Sequence, residues 1–328
     1  MKVDVLIPAY NAGKTIEKTI LSVIHQSCSD WTLTILDDGS TDKTRKICQT
    51  FCERDQRIKY VYQENQGLVA ARKRLLKEVR GDYFTFLDAD DLLHCDMLSI
   101  LLKVAKDNEW TDIVMIKASQ NVSRRLAIGK KKRIGSGDVI VYDCLELLEN
   151  FMAYPRFTPA MHGKMFAKKL ASADLDSIPK LFLGEDTCFN ATLFAAANKV
   201  TIVDEVLYYY RAGGGSSGYY PRLPEDIGKL YAWRKEFITQ KNLSEQVAKN
   251  AVVNCMCAFR ARAGGVDIDR AEILMAMPEL IEDMREMDFG RFQSLADEYL
   301  DETKVVLKLS KEKEALSVKI KQFLLRLL

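Results

Sequence analysis

Three carboxylates lie within four positions after an apolar stretch, in the segment Leu87-Asp88-Ala89-Asp90-Asp91. Clustered acids repel one another and are costly beside a hydrophobic core unless a cation compensates them. Carboxylate oxygens suit Mg²⁺ or Mn²⁺, which proteins commonly hold together with substrate phosphates. We therefore predict a metal–diphosphate site at Asp88 and Asp90. For Asp91 the alternative is a cap on the following helix.

A second acidic cluster, Asp37-Asp38-Gly39-Ser40-Thr41-Asp42, also follows an apolar run and precedes a helical pattern. Ser40 to Asp42 are residue types that cap helix amino termini. Asp38 differs, because a carboxylate at a strand end can accept a hydrogen bond from a nucleotide base. We predict a recognition role for it.

A third signal is Gly184-Glu185-Asp186-Thr187, which is followed by the apolar run Cys188–Ala197. Acids at a helix start can simply complement the helix dipole. Alternatively, one of them is a general base that deprotonates an acceptor hydroxyl. His162, one of only three histidines, is likewise either a metal or acceptor contact or a structural residue.

The strands and helices that carry these clusters can be predicted from the sequence. Over residues 1–117 apolar runs alternate with amphipathic stretches, which is typical of parallel βαβ units. The pattern predicts an α/β fold with a doubly wound, mainly parallel sheet flanked by helices. Strands are predicted at Val3–Pro8, Thr32–Leu36, Ile58–Tyr62, Tyr83–Leu87 and Asp112–Ile116, and helices at Thr15–His25, Asp42–Cys52, Leu68–Val79 and Met97–Asp107. In such sheets ligands bind at the carboxyl ends of the strands, where the polar clusters lie.

Beyond residue 118 the pattern changes. A basic stretch near Arg124 to Arg133 indicates a solvated β-ribbon, and mixed elements continue to an aromatic strand at Val206–Tyr210. The glycine-rich stretch Gly213 to Gly218 is predicted to be a loop rather than a dinucleotide fingerprint, because no helix pattern follows it. We predict one domain over 1–220, with halves 1–117 and 118–220, and a carboxyl-terminal helical region over 221–328.

The last 25 residues, 304–328, place leucines, Ile320 and Phe323 along one helical face with basic residues elsewhere. This amphipathic helix either binds an anionic membrane surface or packs against protein, including a second copy of the chain. A homo-oligomer is therefore one of the expected alternatives.

Composition excludes several classes of protein. Lys+Arg 48 against Asp+Glu 46 gives a net charge of +2, so no partner nucleic acid is expected. The eight cysteines include no C-x-x-C pair, which favours a reducing compartment. The amino terminus lacks the pattern of a secretory signal, and no run approaches ~18 apolar residues. We expect a cytoplasmic protein whose only membrane contact is peripheral, at the inner face of the cell membrane.

Taken in order, the motifs resemble those of family 2 glycosyltransferases with the GT-A fold. The resemblance covers residues 3 to about 211 and not the carboxyl-terminal third. It rests on Val5-Leu6-Ile7-Pro8-Ala9-Tyr10-Asn11, Leu36-Asp37-Asp38-Gly39-Ser40-Thr41-Asp42, Glu64-Asn65-Gln66-Gly67-Leu68, Ala70-Ala71-Arg72, Phe86-Leu87-Asp88-Ala89-Asp90-Asp91 and Gly184-Glu185-Asp186.

The resemblance implies a role for particular residues. Asp90 would bind the divalent metal, Mn²⁺ or Mg²⁺, with Asp88 beside it on the sugar or ribose. Asp186 would be the catalytic base, with Glu185 as the alternative. The nucleotide-sugar site would comprise Pro8, Ala9, Tyr10, Asn11, Asp38, Arg72, Asp88, Ala89, Asp90, Lys164, Arg211, Ser216 and Ser217.

The implied activity is an inverting, metal-dependent transfer of a hexosyl or N-acetylhexosaminyl group. The donor would be a nucleoside-diphosphate sugar, expected to be UDP-linked, and the acceptor a hydroxyl of a glycan or lipid-linked molecule in polysaccharide biosynthesis. One alternative is a nucleotidyltransferase, although Pro8-Ala9-Tyr10-Asn11 poorly matches a glycine-rich phosphate loop. The other is a non-catalytic glycan-binding protein that retains the fold.

Overall fold

A computed structural model of the 328-residue chain describes residues 1–119, 139–153, 160–211, 220–263 and 270–286. Four predictions fall outside these ranges: the basic ribbon, the glycine-rich loop Gly213 to Gly218, the nucleotide-sugar residues Ser216 and Ser217, and the amphipathic segment 304–328. The described part divides into two compact units. One contains residues 1–144, 160–175 and 192–214, and the other contains 145–159, 176–191 and 215–328.

The first unit is built on a sheet that has nine strands in the described residues, in the order β3-β2-β1-β4-β8-β6-β9-β5, with β7 also paired to β9. The strands are β1 (Val3–Ala9), β2 (Trp31–Asp38), β3 (Ile58–Gln63), β4 (Tyr83–Phe86), β5 (Leu92–Leu93), β6 (Ile113–Ser119), β7 (Val139–Asp143), β8 (Lys164–Ala167) and β9 (Lys199–Tyr209). Every residue of β1 and β2 is buried, as expected for central strands covered on both faces.

The amino-terminal half of this sheet is parallel, as predicted. β1 pairs with β2 and β4, and β2 pairs with β3, all in parallel. Beyond β4 the sheet is mixed, because β8 runs antiparallel to both β4 and β6 while β6 and β9 are parallel. The predicted parallel character therefore holds for β3-β2-β1-β4, and the later strands follow a different pattern.

The helices between the first strands lie where the apolar spacing predicts them. They are α1 (Ile16–Ile24), α2 (Thr44–Arg54), α3 (Leu68–Lys77) and α4 (Met97–Asp107). In α1 the side chains of Ile16, Ile20 and Val23 recur at three- to four-residue spacing and are all buried. Their burial against the sheet fixes the loops that join each strand to its helix.

The second unit contains most of the later helices. Among the described residues these are α7 (Leu223–Gln240), α8 (Glu245–Ala263), α9 (Arg270–Ala276) and α10 (Pro278–Glu286). The helix α5 (Cys144–Ala153) is tied to them, because buried Arg234 of α7 donates to the Met152 carbonyl oxygen at 2.6 Å. In this division residues 145–159 and 176–191 group with the carboxyl-terminal helices, and the domain boundary at residue 220 stays a prediction.

The remaining elements are α6 (Glu185–Ala196) and a 3₁₀ turn at Lys168–Ser172. Across the described ranges, no helix is both long enough and apolar enough to span a membrane.

Candidate active site

Parallel pairing brings the polar clusters after β1, β2 and β4 to one edge of the sheet. Ala9 of β1 is in register with Asp37 of β2, and Leu6 is in register with Phe86 of β4. The first two loops are also bonded to each other. The backbone N–H of Asn11 donates to Ser40 Oγ at 2.9 Å, and the N–H of Thr41 donates to Asn11 Oδ1 at 2.9 Å.

The loop after β1 presents one large side chain to solvent. Pro8 and Ala9 are buried, whereas Tyr10 is 55% exposed and Asn11 has a φ of 49°. Asn residues tolerate this left-handed conformation better than most others. The exposed ring of Tyr10 at the carboxyl end of β1 is free to stack on a planar group.

Asp38 is buried at the end of β2, and its carboxylate organises the loop after β3. It accepts hydrogen bonds from Gln63 Nε2 at 2.6 Å, from the N–H of Gln66 at 2.9 Å and from the N–H of Gly67 at 2.8 Å. A carboxylate offers about four acceptor positions. These three bonds fix its orientation and leave room for about one more donor, so its role in base recognition stays a prediction.

The two other aspartates of this cluster, Asp37 and Asp42, have structural partners. Asp37 accepts from the N–H of Ser40 at 2.8 Å and from the Tyr60 hydroxyl at 2.7 Å. Asp42 accepts from the N–H of Thr44, the first residue of α2, at 2.9 Å. The residue directly before α2 is Lys43, which makes no side-chain capping hydrogen bond, so the predicted cap is not observed at that position and Asp42 bonds to the first turn from one residue further out.

Asp88 lies between two side chains that can carry positive charge. Arg72 Nη2 of α3 is 3.6 Å from Asp88 Oδ1, and His162 Nδ1 is 3.8 Å from Asp88 Oδ2. Burial raises the pKa of Asp88, but its contact with His162 and the charge of Arg72 outweigh burial and hold the pKa below its usual value. Asp88 is thus held as a carboxylate. The Arg72 side chain is only 2% exposed.

The next two acids have the opposite tendency. Burial and the charge of Asp88 raise the pKa of Asp90. Burial is also the main cause that raises the pKa of Asp91, to about 6. A cation at this loop would offset the repulsion between these groups.

Asp91 does not cap the following helix, in contrast to the alternative considered from the sequence. Its Oδ2 accepts a hydrogen bond from the Tyr208 hydroxyl at 2.8 Å, and its Oδ1 accepts from the N–H of Arg211 at 2.8 Å. The partners lie on and just after β9, where no local sequence signal would indicate them. Asp91 therefore anchors the start of the segment that follows β9.

His162 packs against two aromatic rings of the same strand region. Its ring is stacked on Tyr208, with centroids 4.6 Å apart, and on Tyr210 at 5.7 Å. Ligand atoms of Asp88, Asp91 and His162 all lie within 4.8 Å of one another. From the sequence, a ligand role is only one of two alternatives for His162, and Asp91 is not among the predicted metal ligands. Asp90 is not part of this group.

The other predicted residues of the first unit differ in exposure. Lys164 is 1% exposed, and its ammonium group donates to the Ala160 carbonyl oxygen. The Arg211 side chain is exposed, while its backbone is held by Asp91. Ala89 lies in the acidic loop, which comprises residues 88–91. Its carbonyl oxygen accepts hydrogen bonds from the hydroxyl of Thr15, just before α1, and from that of Thr19 in α1.

Glu185 and Asp186 belong to the second unit and form the first turn of α6. Gly184 precedes them with a φ of 90°, and a Cβ at this position would lie 2.5 Å from a methyl carbon of Leu230 in α7. Only glycine adopts this turn without strain. Glu185 is 8% exposed, and Asp186 is partly exposed.

Comparison with known proteins identifies the family. Residues 4–164 match the model of glycosyl transferase family 2. Glycosyltransferase GlyA of Streptococcus pneumoniae is 30% identical over 218 residues, which cover 63% of this chain and 30% of GlyA. The glycosyltransferase EpsJ of Bacillus subtilis is 27% identical over 246 residues, covering 74% of this chain and 71% of EpsJ.

Among solved structures, TarS of S. aureus in complex with UDP-GlcNAc superposes with a TM-score of 0.69 at 20% identity, covering 98% of this chain and 91% of the TarS chain. At this identity the likeness shows the fold alone. The match of residues 4–164, the ordered motifs and the shared architecture agree with one another, and residues 4–164 of this chain belong to glycosyltransferase family 2, in a chain with the GT-A fold.

Proposed function

We propose that the protein is an inverting, metal-dependent glycosyltransferase that uses a nucleoside-diphosphate sugar. The observation that carries this proposal is the setting of Asp88. The carboxylate is held ionised between Arg72 and His162, next to Asp90 and Asp91, at the sheet edge where α/β proteins bind ligands.

The donor is proposed to be UDP-linked. Tyr10 presents an exposed ring and Asp38 a fixed carboxylate at the ends of neighbouring parallel strands, which suits a flat base with an N–H donor. Arg72 would face the diphosphate or the sugar, and Asp91 holds the backbone N–H of Arg211, whose side chain adds a positive charge. The complex of TarS with UDP-GlcNAc supports a UDP-sugar donor and is compatible with transfer of an N-acetylhexosamine.

The residues of the acidic loop fit a divalent cation. Asp88, Asp91 and His162 bring oxygen and nitrogen ligand atoms within 4.8 Å of one another, and Asp90 adds a carboxylate to the same loop. Carboxylate-rich ligand sets favour Mg²⁺ or Mn²⁺. We propose that Asp88 and Asp90 hold the ion, which when bound neutralises negative charge on the leaving diphosphate.

Asp186 is the proposed general base, with Glu185 as the alternative. In the proposed step the carboxylate takes the proton of an acceptor hydroxyl, the acceptor oxygen forms a bond to the anomeric carbon, and the bond from that carbon to the nucleoside diphosphate breaks. In-line displacement inverts the anomeric configuration. Base assistance of this kind contributes about 10²- to 10⁴-fold to the rate.

The acceptor is proposed to be a glycan or lipid-linked molecule of polysaccharide biosynthesis. The protein would then work in the cytoplasm at the inner face of the membrane, with residues 304–328 providing either the membrane contact or a contact to a second copy. The matched relatives are themselves named as glycosyltransferases, which supports the reaction class.

The test is a screen of UDP-, GDP-, CMP- and dTDP-sugars for Mn²⁺- or Mg²⁺-dependent release of nucleotide, with D186N as the control. We expect selective release from a UDP-sugar that D186N loses. Absence of both release and metal-dependent nucleotide binding would favour a non-catalytic glycan-binding protein. Release of inorganic diphosphate from a nucleoside triphosphate would instead indicate a nucleotidyltransferase.

A further inference from the structure

Phe182 exposes a large aromatic ring close in sequence to the proposed base. Its exposed fraction is 57%, whereas the preceding Leu181 is 5% exposed. Tyr220 packs edge-on against it, with ring centroids 5.0 Å apart and an interplanar angle of 66°. The two rings form an aromatic corner in the second unit.

A buried carboxylate of α7 holds this corner in place. Asp226 is fully buried, and its Oδ2 accepts from the N–H of Phe182 at 3.0 Å and from the Tyr220 hydroxyl at 2.8 Å. Burial and the bond to Asp226 raise the pKa of Tyr220, so the phenol keeps the proton that it donates. Oδ2 of Asp226 therefore fixes both the backbone of Phe182 and the hydroxyl of Tyr220.

The same helix also fixes the turn that leads to the acids. Leu230, one turn after Asp226 in α7, lies against Gly184, whose left-handed conformation starts α6 at Glu185. Asp186 lies four positions after Phe182, so their Cα atoms are at most about 14 Å apart. A short oligosaccharide can bridge such a distance, and α7 contacts the chain at both Phe182 and Gly184.

Single exposed hydrophobic side chains are common and need no explanation. Phe182 differs because the fully buried carboxylate of Asp226 accepts hydrogen bonds both from the backbone of Phe182 and from the hydroxyl of the neighbouring Tyr220. Burying a carboxylate is costly unless its hydrogen bonds are made. Here Oδ2 accepts both bonds, whereas Oδ1 accepts none from the described residues and lies 4.0 Å from Arg222 Nη2. An ordered aromatic face close to carboxylates matches a sugar ring, which has an apolar C–H face and a rim of hydroxyls.

We infer that Phe182 and Tyr220 form an acceptor subsite, where a pyranose ring packs its C–H face on Phe182 while its hydroxyls extend towards the Glu185–Asp186 turn. The inference rests on the proposed transferase function, since it assigns the acceptor class to the same site. Asp226 is a positioning residue for this subsite.

The test measures binding of simple glycosides rather than turnover. The probes are methyl β-D-glucopyranoside, methyl β-D-galactopyranoside and methyl N-acetyl-β-D-glucosaminide, titrated into the full chain and followed by saturation-transfer NMR. F182L removes the aromatic face but keeps an apolar side chain, and F182Y keeps the face. M275A truncates another exposed apolar side chain of the second unit and serves as the matched control.

We expect at least one glycoside to bind the wild-type chain, and F182L to bind it about 3- to 10-fold more weakly. F182Y and M275A should bind as the wild type does. Equal affinity of F182L, or no binding of any probe to the wild type, would overturn the subsite. Nucleotide release from donor sugars is scored separately, so failure of the proposed transferase function is distinguishable from failure of the subsite.

Discussion

The hydroxyl of Tyr208 donates a hydrogen bond of 2.8 Å to Asp91, which lies 117 positions earlier in the chain. The same hydroxyl accepts a hydrogen bond of 3.2 Å from the backbone N–H of Asp88. One side chain of β9 therefore sets both ends of the acidic loop. His162 also stacks on the Tyr208 ring, so this one side chain supports both the loop backbone and the imidazole beside Asp88 Oδ2.

Removing this hydroxyl should disturb the loop without removing any proposed metal ligand. We expect Y208F to lower the free energy of unfolding by about 1–2 kcal/mol, because the buried Asp91 oxygen loses a donor. Metal-dependent UDP binding should weaken as the loop loosens. Urea unfolding and calorimetric titration measure the two effects.

Y83F is the matched control for that variant. The Tyr83 hydroxyl is also buried, but it donates to the Thr111 carbonyl oxygen at 3.0 Å, away from the acidic loop. We expect a similar loss of stability with unchanged UDP binding. If both variants bound UDP like the wild type, the support of the loop by Tyr208 would have no functional role.

Replacing the proposed metal ligands should separate metal binding from folding. We expect D88N and D90N each to weaken Mn²⁺-dependent UDP binding by at least about tenfold, the lower end of what altered metal sites lose. The free Mn²⁺ signal in electron paramagnetic resonance reports the bound ion directly. D204N is the control, because Asp204 is exposed and forms an ion pair with Lys117.

The two substitutions should differ in one respect. Asp88 also interacts with Arg72 and His162, so D88N leaves the buried guanidinium of Arg72 without its nearby carboxylate and should reduce stability as well. Asp90 has a raised pKa, and its neutral replacement should be tolerated or slightly stabilising without metal. Equal Mn²⁺ affinity in D90N and the wild type would move the metal assignment to Asp88, Asp91 and His162.

The proposed base gives a different pattern. We expect D186N to bind UDP with unchanged affinity and to lose about 10²- to 10⁴-fold in transfer rate, because a general base acts on the acceptor and not on the donor. Steady-state rates together with calorimetric UDP binding separate the two effects. E185Q is the matched variant, and a larger loss in E185Q than in D186N would exchange the two roles.

Much of this site could be predicted from the sequence because the relevant signals are local. Polar clusters directly after apolar runs mark the carboxyl ends of parallel strands, and α4 runs from Met97 to Asp107 as its apolar spacing predicts. The hydrogen bond from the N–H of Thr44 to Asp42 is equally local, since the two residues are two positions apart.

The rest depends on contacts between distant segments. Asp91 resembles a helix cap in sequence, but its partners Tyr208 and Arg211 come from β9 and the residues after it. Asp226 gives a misleading sequence signal, because an acid in the first turn of a helix, here beside Glu225, normally faces solvent and complements the helix dipole. Its partner Phe182 lies 44 positions earlier, and only the packing of α7 brings the two together.

The ion pair of Asp55 and Arg57 offers a pH test that is independent of the site. Arg57 donates from Nε and Nη2 to both oxygens of Asp55, and its guanidinium lies 3.8 Å from the centroid of the Trp31 ring. The hydrogen bonds from Arg57 lower the pKa of Asp55 below its usual value. A lowered carboxyl pKa stabilises the fold at pH values above the unfolded-state pKa, and this contribution is lost as the pH falls through the folded-state pKa.

We therefore expect D55N to reduce the free energy of unfolding at pH 7 by about 0.5–1 kcal/mol, a modest value because Arg57 is partly exposed. The difference from the wild type should shrink as the pH falls below about 4, where the wild-type carboxyl also becomes neutral. Urea unfolding at a series of pH values measures it. D107N is the control, because it removes the exposed ion pair of Asp107 with Lys103. It should change the free energy of unfolding little at any pH of the series. A loss in D55N that stays constant down to pH 2 would mean that the side chain acts through hydrogen bonds that survive protonation and not through its charge.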